Sequence, residues 1–296
     1  MFNYQRTIKN KVNCFGVGLH TGQEVTMSLI PAPVNTGIVF KRTDITDKEN
    51  LIPACYLNVE GTMLGTTVKN NAGASVSTIE HLMAALWGCG IDNCLIEINA
   101  GEVPIMDGSS EPFVFLIECA GRVEQEKTRR IIEVLKEVRV EEDGGNGGYL
   151  TISPSEGFSI GMEIDFGDQV ISYQKAMFDS RDVSFKSDLS RARTFGFEHE
   201  VDHLRSIGLA RGGSLENAIV VGKEKILNEE SLRYQDEFVR HKILDCIGDV
   251  YLAGAYFKGH LKGFKSGHAL NNKLLRAFFS QTDAWRMVQA QSGVAA

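Results

Sequence analysis

The pattern FVRHKILDCIGDVYL over residues 238–252 constrains this chain more than any other stretch. His241, Asp245, Gly248 and Leu252 recur at helical spacing and share one face, with Lys242 and Asp249 beside it. Val239, Ile243, Cys246 and Val250 form an apolar stripe elsewhere on the same helix. The polar face of an amphipathic helix is ordinarily solvated. Here it places a histidine and a carboxylate one turn apart, so both can reach a single metal ion. The run VYLAGAYF either extends the helix or turns into a strand, because periodicity does not separate the two in short apolar runs. His268, in SGHALNNKLLRAF, stands at a loop-to-helix junction from which it can fold back toward His241. The segment reads as half of an active site. The other half must lie upstream.

A chain of 296 residues, 43% of them hydrophobic, can bury one large core or two ordinary ones. Its formal charge of −7 argues against a nucleic-acid-binding protein, which needs a domain-wide basic excess. The local cluster Lys258, Lys262 and Lys265 is still able to hold one small anion. The N-terminus, MFNYQRTIKNKV, lacks the apolar core of a signal peptide, and the most apolar run, residues 82–91, is too short to span a bilayer. Six cysteines without a CxxC pair read as reduced, mostly buried thiols, and place the chain in the cytoplasm.

Upstream, residues 1–60 alternate as strands punctuated by Gly, Pro and Asn, with His20 in a glycine-flanked turn where a structural role is expected. TMLGTTVK, residues 62–69, reads as a further strand with a small-residue turn. Residues 75–87, SVSTIEHLMAALW, read as a helix ending at Gly88, and Ser77 followed by Glu80 forms a capping box. His81 points about 100° away from Glu80, yet at a helix start both can border one cleft. His81 to Asp107 spans 26 residues and His241 to His268 spans 27, each leading through a Gly/Ser turn to an apolar helix. An internal duplication is therefore expected. GRVEQEKTRR, residues 121–130, is the best linker candidate, followed by a hairpin with the glycine-rich tip DGGNGG. The division falls at residues 1–127 and 128–296.

Two metal sites compete. His199, Glu200 and His203 match H-E-x-x-H, which in zinc peptidases sets two imidazoles on one helical face with Glu as the base. Its surroundings are highly charged, whereas peptidase helices of this kind are buried and apolar. The second candidate is His81, His241 and Asp245, three N/O donors that leave a fourth position open, with Glu80 as base and His268 as acid. Spacing alone leaves both standing.

STIEHLMAALWGCGIDN, GEVPIMDGSSEPF, ARTFGF, LARGGSLENAIV, VRHKILDCIGD and GHALNNKLLRAF, in this order, resemble the successive motifs of one family, from near residue 2 to about residue 280. It is the zinc-dependent UDP-3-O-acyl-N-acetylglucosamine deacetylases of lipid A biosynthesis. The resemblance implies an α+β fold of two domains of similar topology, each a helix layer on a mainly antiparallel sheet with a small insert. Zinc would be held by His81, His241 and Asp245, with Glu80 as general base and His268 facing it. Thr194 would supply a hydroxyl to the oxyanion and Asp249 would partner His268. Lys242, Phe195, Phe197, Asp165, Phe166, Lys265 and Gly267 match positions that contact the substrate, and Met63 and Leu64 join this set. Val201, Leu204, Ala210, Gly213, Ser214 and Val220 match an acyl-chain passage in the insert at residues 196–222. The implied partner is acylated UDP-N-acetylglucosamine, taken up by a monomer without nucleic acid or a transmembrane segment. Within the resemblance, His199 and His203 have no metal role.

Overall fold

The computed structural model describes residues 3–144, 147–167 and 170–290, leaving the middle of the DGGNGG tip outside the described residues. The first half runs through β1 (Tyr4–Ile8), β2 (Val12–Val17), β3 (Glu24–Pro31), β4 (Ile38–Arg42) and β5 (Leu51–Pro53). Three short strands follow, β6 (Val59–Gly61), β7 (Thr67–Lys69) and β8 (Ser75–Val76). Helix α1 (Glu80–Cys89), β9 (Cys94–Ile98), α2 (Glu111–Ala120) and β10 (Arg122–Thr128) complete it. Alternation decides which way each strand faces: in β3, Val25, Met27 and Leu29 are buried while Glu24 and Thr26 are exposed. The sheet order is β2-β3-β9-β4-β5, antiparallel except where β9 lies parallel to β4.

The second half repeats this plan. Its strands are β11 (Arg130–Val134), β12 (Val138–Glu141), β13 (Tyr149–Ser153), β14 (Phe158–Ile164) and β15 (Gln174–Asp179). After α3 (Phe185–Asp188) come β16 (Phe195–Phe197), α4 (Glu198–Ser206) and β17 (Ile219–Val221). Then α5 (Glu237–Val250), β18 (Tyr256–Phe264), α6 (His268–Ser280) and β19 (Trp285–Gln289) close the half. β18 pairs antiparallel with β13 of the β12–β13 hairpin and parallel with β14, which pairs with β15. So β2, β3, β9, β4 and β5 correspond in order and sense to β12, β13, β18, β14 and β15. The β1–β10 pair is matched by β11–β19, and α1 and α2 by α5 and α6. The duplication and the α+β class expected from the sequence are both present. The inserts are β6 to β8 in one half and β16, α4 and β17 in the other.

Where the halves meet, α1 lies on α5. Every residue of α1 but Gly88 is buried, as expected of a helix apolar on all sides. The crossing point is Gly248, where a Cβ would stand 2.1 Å from the Glu80 carbonyl oxygen, so only glycine lets the backbones approach this closely. The C-terminal carbonyls of α1 are capped by the other half. Tyr256 Oη donates to Trp87 O, Tyr251 Oη to Ile91 O, and Arg129 Nη2 to Gly90 O. Arg129, 1% exposed, also forms a fork with Asp92 at 2.8 and 2.6 Å and lies over the Tyr256 ring. Removing one partner of such a buried pair strands the other charge, at a cost of about 3–5 kcal/mol. Arg129→Met is therefore expected to lower the unfolding free energy by that amount in a denaturant titration, and a loss below about 1 kcal/mol would show that this contact carries little.

Three local expectations are corrected. The helix begins at Glu80, because Thr78 adopts a left-handed φ of 55° and residues 75–76 pair as β8 with β7. The capping box is absent: Ser77 bonds Gly101 through both its N–H and its hydroxyl. Most of the linker candidate is β10, a strand hidden from alternation because most of its residues are exposed whichever way they face. VYLAGAYF divides, its helix ending in a 3-10 turn at Tyr251–Ala253 and its strand starting at Tyr256 after left-handed Gly254. The cysteines are free, but only Cys89, Cys94 and Cys246 are buried; Cys14 and Cys55 are half-buried and Cys119 is exposed. No helix among the described residues is long and apolar enough to cross a membrane.

Candidate active site

The crossing of α1 and α5 brings His81, second residue of α1, against His241 and Asp245, one turn apart on α5. All three are buried, and their ligand atoms lie within 4.8 Å of one another. The imidazoles meet edge to face at 4.9 Å. His241 Nδ1 lies 3.0 Å from the Ala192 carbonyl, which requires a proton on Nδ1 and leaves the Nε2 lone pair free. Burial pushes this imidazole down to about 4, so it is neutral at pH 7. Nε2 of His241 and of His81 lie 3.3 and 3.6 Å from Asp245 Oδ1. That oxygen is buried and has no hydrogen-bond partner among the described residues. Its companion Oδ2 accepts from Lys242 Nζ at 3.0 Å. A buried orphan oxygen facing two imidazole nitrogens is a donor set for a divalent cation.

A second group stands beside it: Glu80, Asp249 and His268, also within 4.8 Å. Glu80 Oε2 accepts the Thr66 N–H at 2.9 Å, while Oε1 lies 3.9 Å from His268 Nε2. His268, first residue of α6, donates from Nδ1 to Asp249 Oδ2 at 2.7 Å. Burial raises the Glu80 carboxyl above its ordinary value, and the neighbouring imidazoles offset this only in part. Burial alone would lower His268, but the Asp249 and Glu80 carboxylates outweigh it and hold the ring up at about 9. A base candidate and an imidazolium thus face each other across a gap next to the cation donors.

A family model described as LpxC: UDP-3-O-acyl N-acetylglycosamine deacetylase matches residues 5–280. The chain belongs to this family. Proteins named UDP-3-O-acyl-N-acetylglucosamine deacetylase from Saccharophagus degradans and Marinobacter nauticus are each 52% identical over 286 residues. The match covers 96% of this chain and 93% and 92% of theirs. One of the same name from Hahella chejuensis is 51% identical over 286 residues, 96% of this chain and 93% of its own.

The remaining expected residues surround these two groups in different ways. Thr194 follows Ala192, the carbonyl that holds His241, by two positions, and its N–H is fixed on Gly108 O at 2.8 Å. Phe195 packs on His241 and Phe238, and the rings of Phe195 and Phe197 both meet Phe166, which is exposed. Lys265 reaches Asp165 at 3.3 Å, and Gly267 caps α6 immediately before His268. Of the lysines of the expected anion cluster, Lys258 pairs with Glu133 and Glu156. Met63 and Leu64 are exposed at the tip of the first insert. Val201 and Leu204 are half-buried on α4, and Val220 sits on β17. Ala210, Gly213 and Ser214 lie in the loop between these two elements. His20 joins the inserts, its ring lying 3.3 Å from Leu64 O and 3.4 Å from Ala210 N. His199, Glu200 and His203 are exposed on α4, and they are not among the groups of described residues able to hold a metal.

Several contributors carry no signal in the sequence pattern. Glu102, fully buried, accepts from His20 N, Thr21 N, Thr21 Oγ1 and Thr78 Oγ1, so it fixes the turn that precedes Glu80. Asn271 Nδ2 donates to Asp249 Oδ2 at 2.8 Å. Gly108 admits the Asn217 carbonyl of the second half, which would lie 2.2 Å from a Cβ there. Of the six described non-glycine residues with positive φ, five (Leu64, Thr78, Met106, Ala210 and Lys265) lie in loops around the site. Such strain persists where the surroundings over-determine it, as at functional sites.

Proposed function

We propose that the protein hydrolyses the N-acetyl amide of UDP-3-O-acyl-N-acetylglucosamine to the free amine and acetate, the committed step of lipid A biosynthesis. His81, His241 and Asp245 would hold a zinc ion. The observation that carries this reading is the partnerless Asp245 Oδ1 before two imidazoles, with the Glu80–His268 gap beside it. When bound, zinc polarises the acetyl carbonyl and lowers the pKa of a water molecule. Glu80, its carboxylate oriented by the Thr66 N–H, takes the proton from the attacking water. The Thr194 hydroxyl is the side-chain donor for the developing oxyanion. His268, kept as imidazolium by Asp249, adds positive charge and stands ready to protonate the leaving amine. Six free cysteines accord with a reducing, cytoplasmic setting. The test is zinc analysis combined with an amine-release assay on the acylated UDP-sugar; a zinc-bearing protein that leaves the amide intact would sink this reading. A peptidase using His199, Glu200 and His203 has only an exposed helix to support it.

The acyl chain is proposed to run along the second insert, past Val201, Leu204 and Val220. Each buried methylene is worth about 0.8 kcal/mol, so losing contact with two costs about tenfold in affinity. Leu204→Glu is expected to cut kcat/KM on the acylated substrate by at least about tenfold. A substrate lacking the 3-O-acyl chain should react poorly with wild type and be little affected by the substitution. Equal losses on both substrates would indicate a misfolded insert instead.

A further inference from the structure

We infer that Thr66 is a positioning residue that ties the base Glu80 to Asp249, the partner of His268, and so sets the gap in which the amide is cleaved. The inference rests on the deacetylase reading above. Thr66 lies in the turn between β6 and β7 and is 2% exposed. Its N–H donates to Glu80 Oε2 at 2.9 Å, and its hydroxyl donates to Asp249 Oδ1 at 2.6 Å. Glu80 belongs to the first half and Asp249 to the second, so one residue hydrogen-bonds across the division.

Donor counting shows why the hydroxyl matters. Asp249 Oδ2 already accepts from His268 Nδ1 at 2.7 Å and from Asn271 Nδ2 at 2.8 Å. Oδ1 takes the single Thr66 hydroxyl proton, and the 3.4 Å approach of that hydroxyl to His268 Nδ1 is secondary, since the Nδ1 proton is already given to Oδ2. With donors on both oxygens, the carboxylate plane is fixed, and the imidazole it holds is fixed with it. The backbone supports the same contact. A Cβ at Gly65 would stand 2.9 Å from Glu80 Oε1, and the strained residues Leu64 and Thr78 flank the Thr66–Glu80 junction. The carbonyl of Thr66 also accepts the Ile79 N–H at 3.4 Å, joining the turn to the start of α1.

Thr66→Val keeps the shape and the N–H but deletes the hydroxyl. It is expected to lower kcat by about 10- to 100-fold, as loss of an outer-sphere partner does, with zinc content unchanged. KM should stay within about twofold, because the lost contact acts on the reacting groups and not on substrate grip. Thr66→Ser should recover most of the rate, which a purely space-filling role does not predict. A second readout needs no turnover: the Nδ1 proton of His268 in metal-free, 15N-histidine-labelled protein, assigned by its loss in His268→Gln. It should be protected from exchange in wild type and Thr66→Ser, and broadened or lost in Thr66→Val. Should Thr66→Val fail to fold, Thr66→Ala carries the same expectations. Wild-type kcat in the hydroxyl-free variant overturns the inference. So does a slow variant whose Nδ1 proton remains protected. A wild type that leaves the amide intact sinks the deacetylase reading alone, while the imidazole proton still decides whether Thr66 holds Asp249 and His268.

Discussion

His241→Ala is expected to empty the metal centre and abolish turnover while leaving the fold in place. The ring makes one hydrogen bond to the scaffold, from Nδ1 to the Ala192 carbonyl, and points its other nitrogen at Asp245 Oδ1. Removing it leaves two donors where three converge, too few to hold a catalytic zinc firmly. Metal contributes several kcal/mol of transition-state stabilisation, and each ~1.4 kcal/mol is tenfold in rate, so the loss should reach at least about a thousandfold. His81→Ala should behave in the same way. His199→Ala, on the exposed face of α4, should keep wild-type metal content. Emission spectroscopy on the three purified variants separates the two candidate sites. Metal lost from His199→Ala and retained in His241→Ala would exchange the two assignments.

Glu80→Gln should retain metal, melt close to wild type and turn over at least about a hundredfold more slowly, since a positioned general base contributes 10²- to 10⁴-fold. The structure sharpens this expectation. Glu80 does not cap α1 through Ser77; its carboxylate accepts the Thr66 N–H, and the amide oxygen of glutamine can accept that bond too. Stability therefore barely changes while the proton acceptor is gone. The pH profile gives the complementary measurement. His268 is raised to about 9, so its imidazolium is complete at neutral pH, and activity that needs it falls as pH rises through that value. Burial raises Glu80, so the acid limb should lie above the ordinary carboxylate range. The outcome is a bell displaced to the alkaline side, with the alkaline limb lost in His268→Gln. A Glu80→Gln enzyme with near-normal turnover would remove Glu80 from the mechanism.

The repeated fold explains why the candidate metal donors were legible and their support was not. His241 and Asp245 lie on one helix, where the 3.6-residue period converts spacing into direction, and their convergence needs no partner element. His81 and His268 head α1 and α6, whose starts are marked in the chain by motifs long enough to resemble a family. Gly248 announced itself as a glycine on a helical face. Only the α1–α5 crossing shows that it exists to admit the Glu80 backbone.

The sequence by itself determined the α+β class and the duplication, and it singled out His81, His241 and Asp245 as candidate cation donors and Glu80 and His268 as a candidate acid–base pair, because periodicity and long motifs are local to each segment. Tertiary structure alone decided three things. It set where α1 begins, through a left-handed Thr78 held by the buried carboxylate of Glu102, which lies 24 residues away in the chain. It made the polar segment after α2 a strand, through pairing with β1 more than a hundred residues earlier, where no alternation could announce it. It also brought Thr66 onto Glu80 and Asp249, across 14 and 183 residues of chain. A hydrogen bond constrains two atoms and leaves the intervening sequence free, so contacts of this kind imprint no period for a reader of the chain to find.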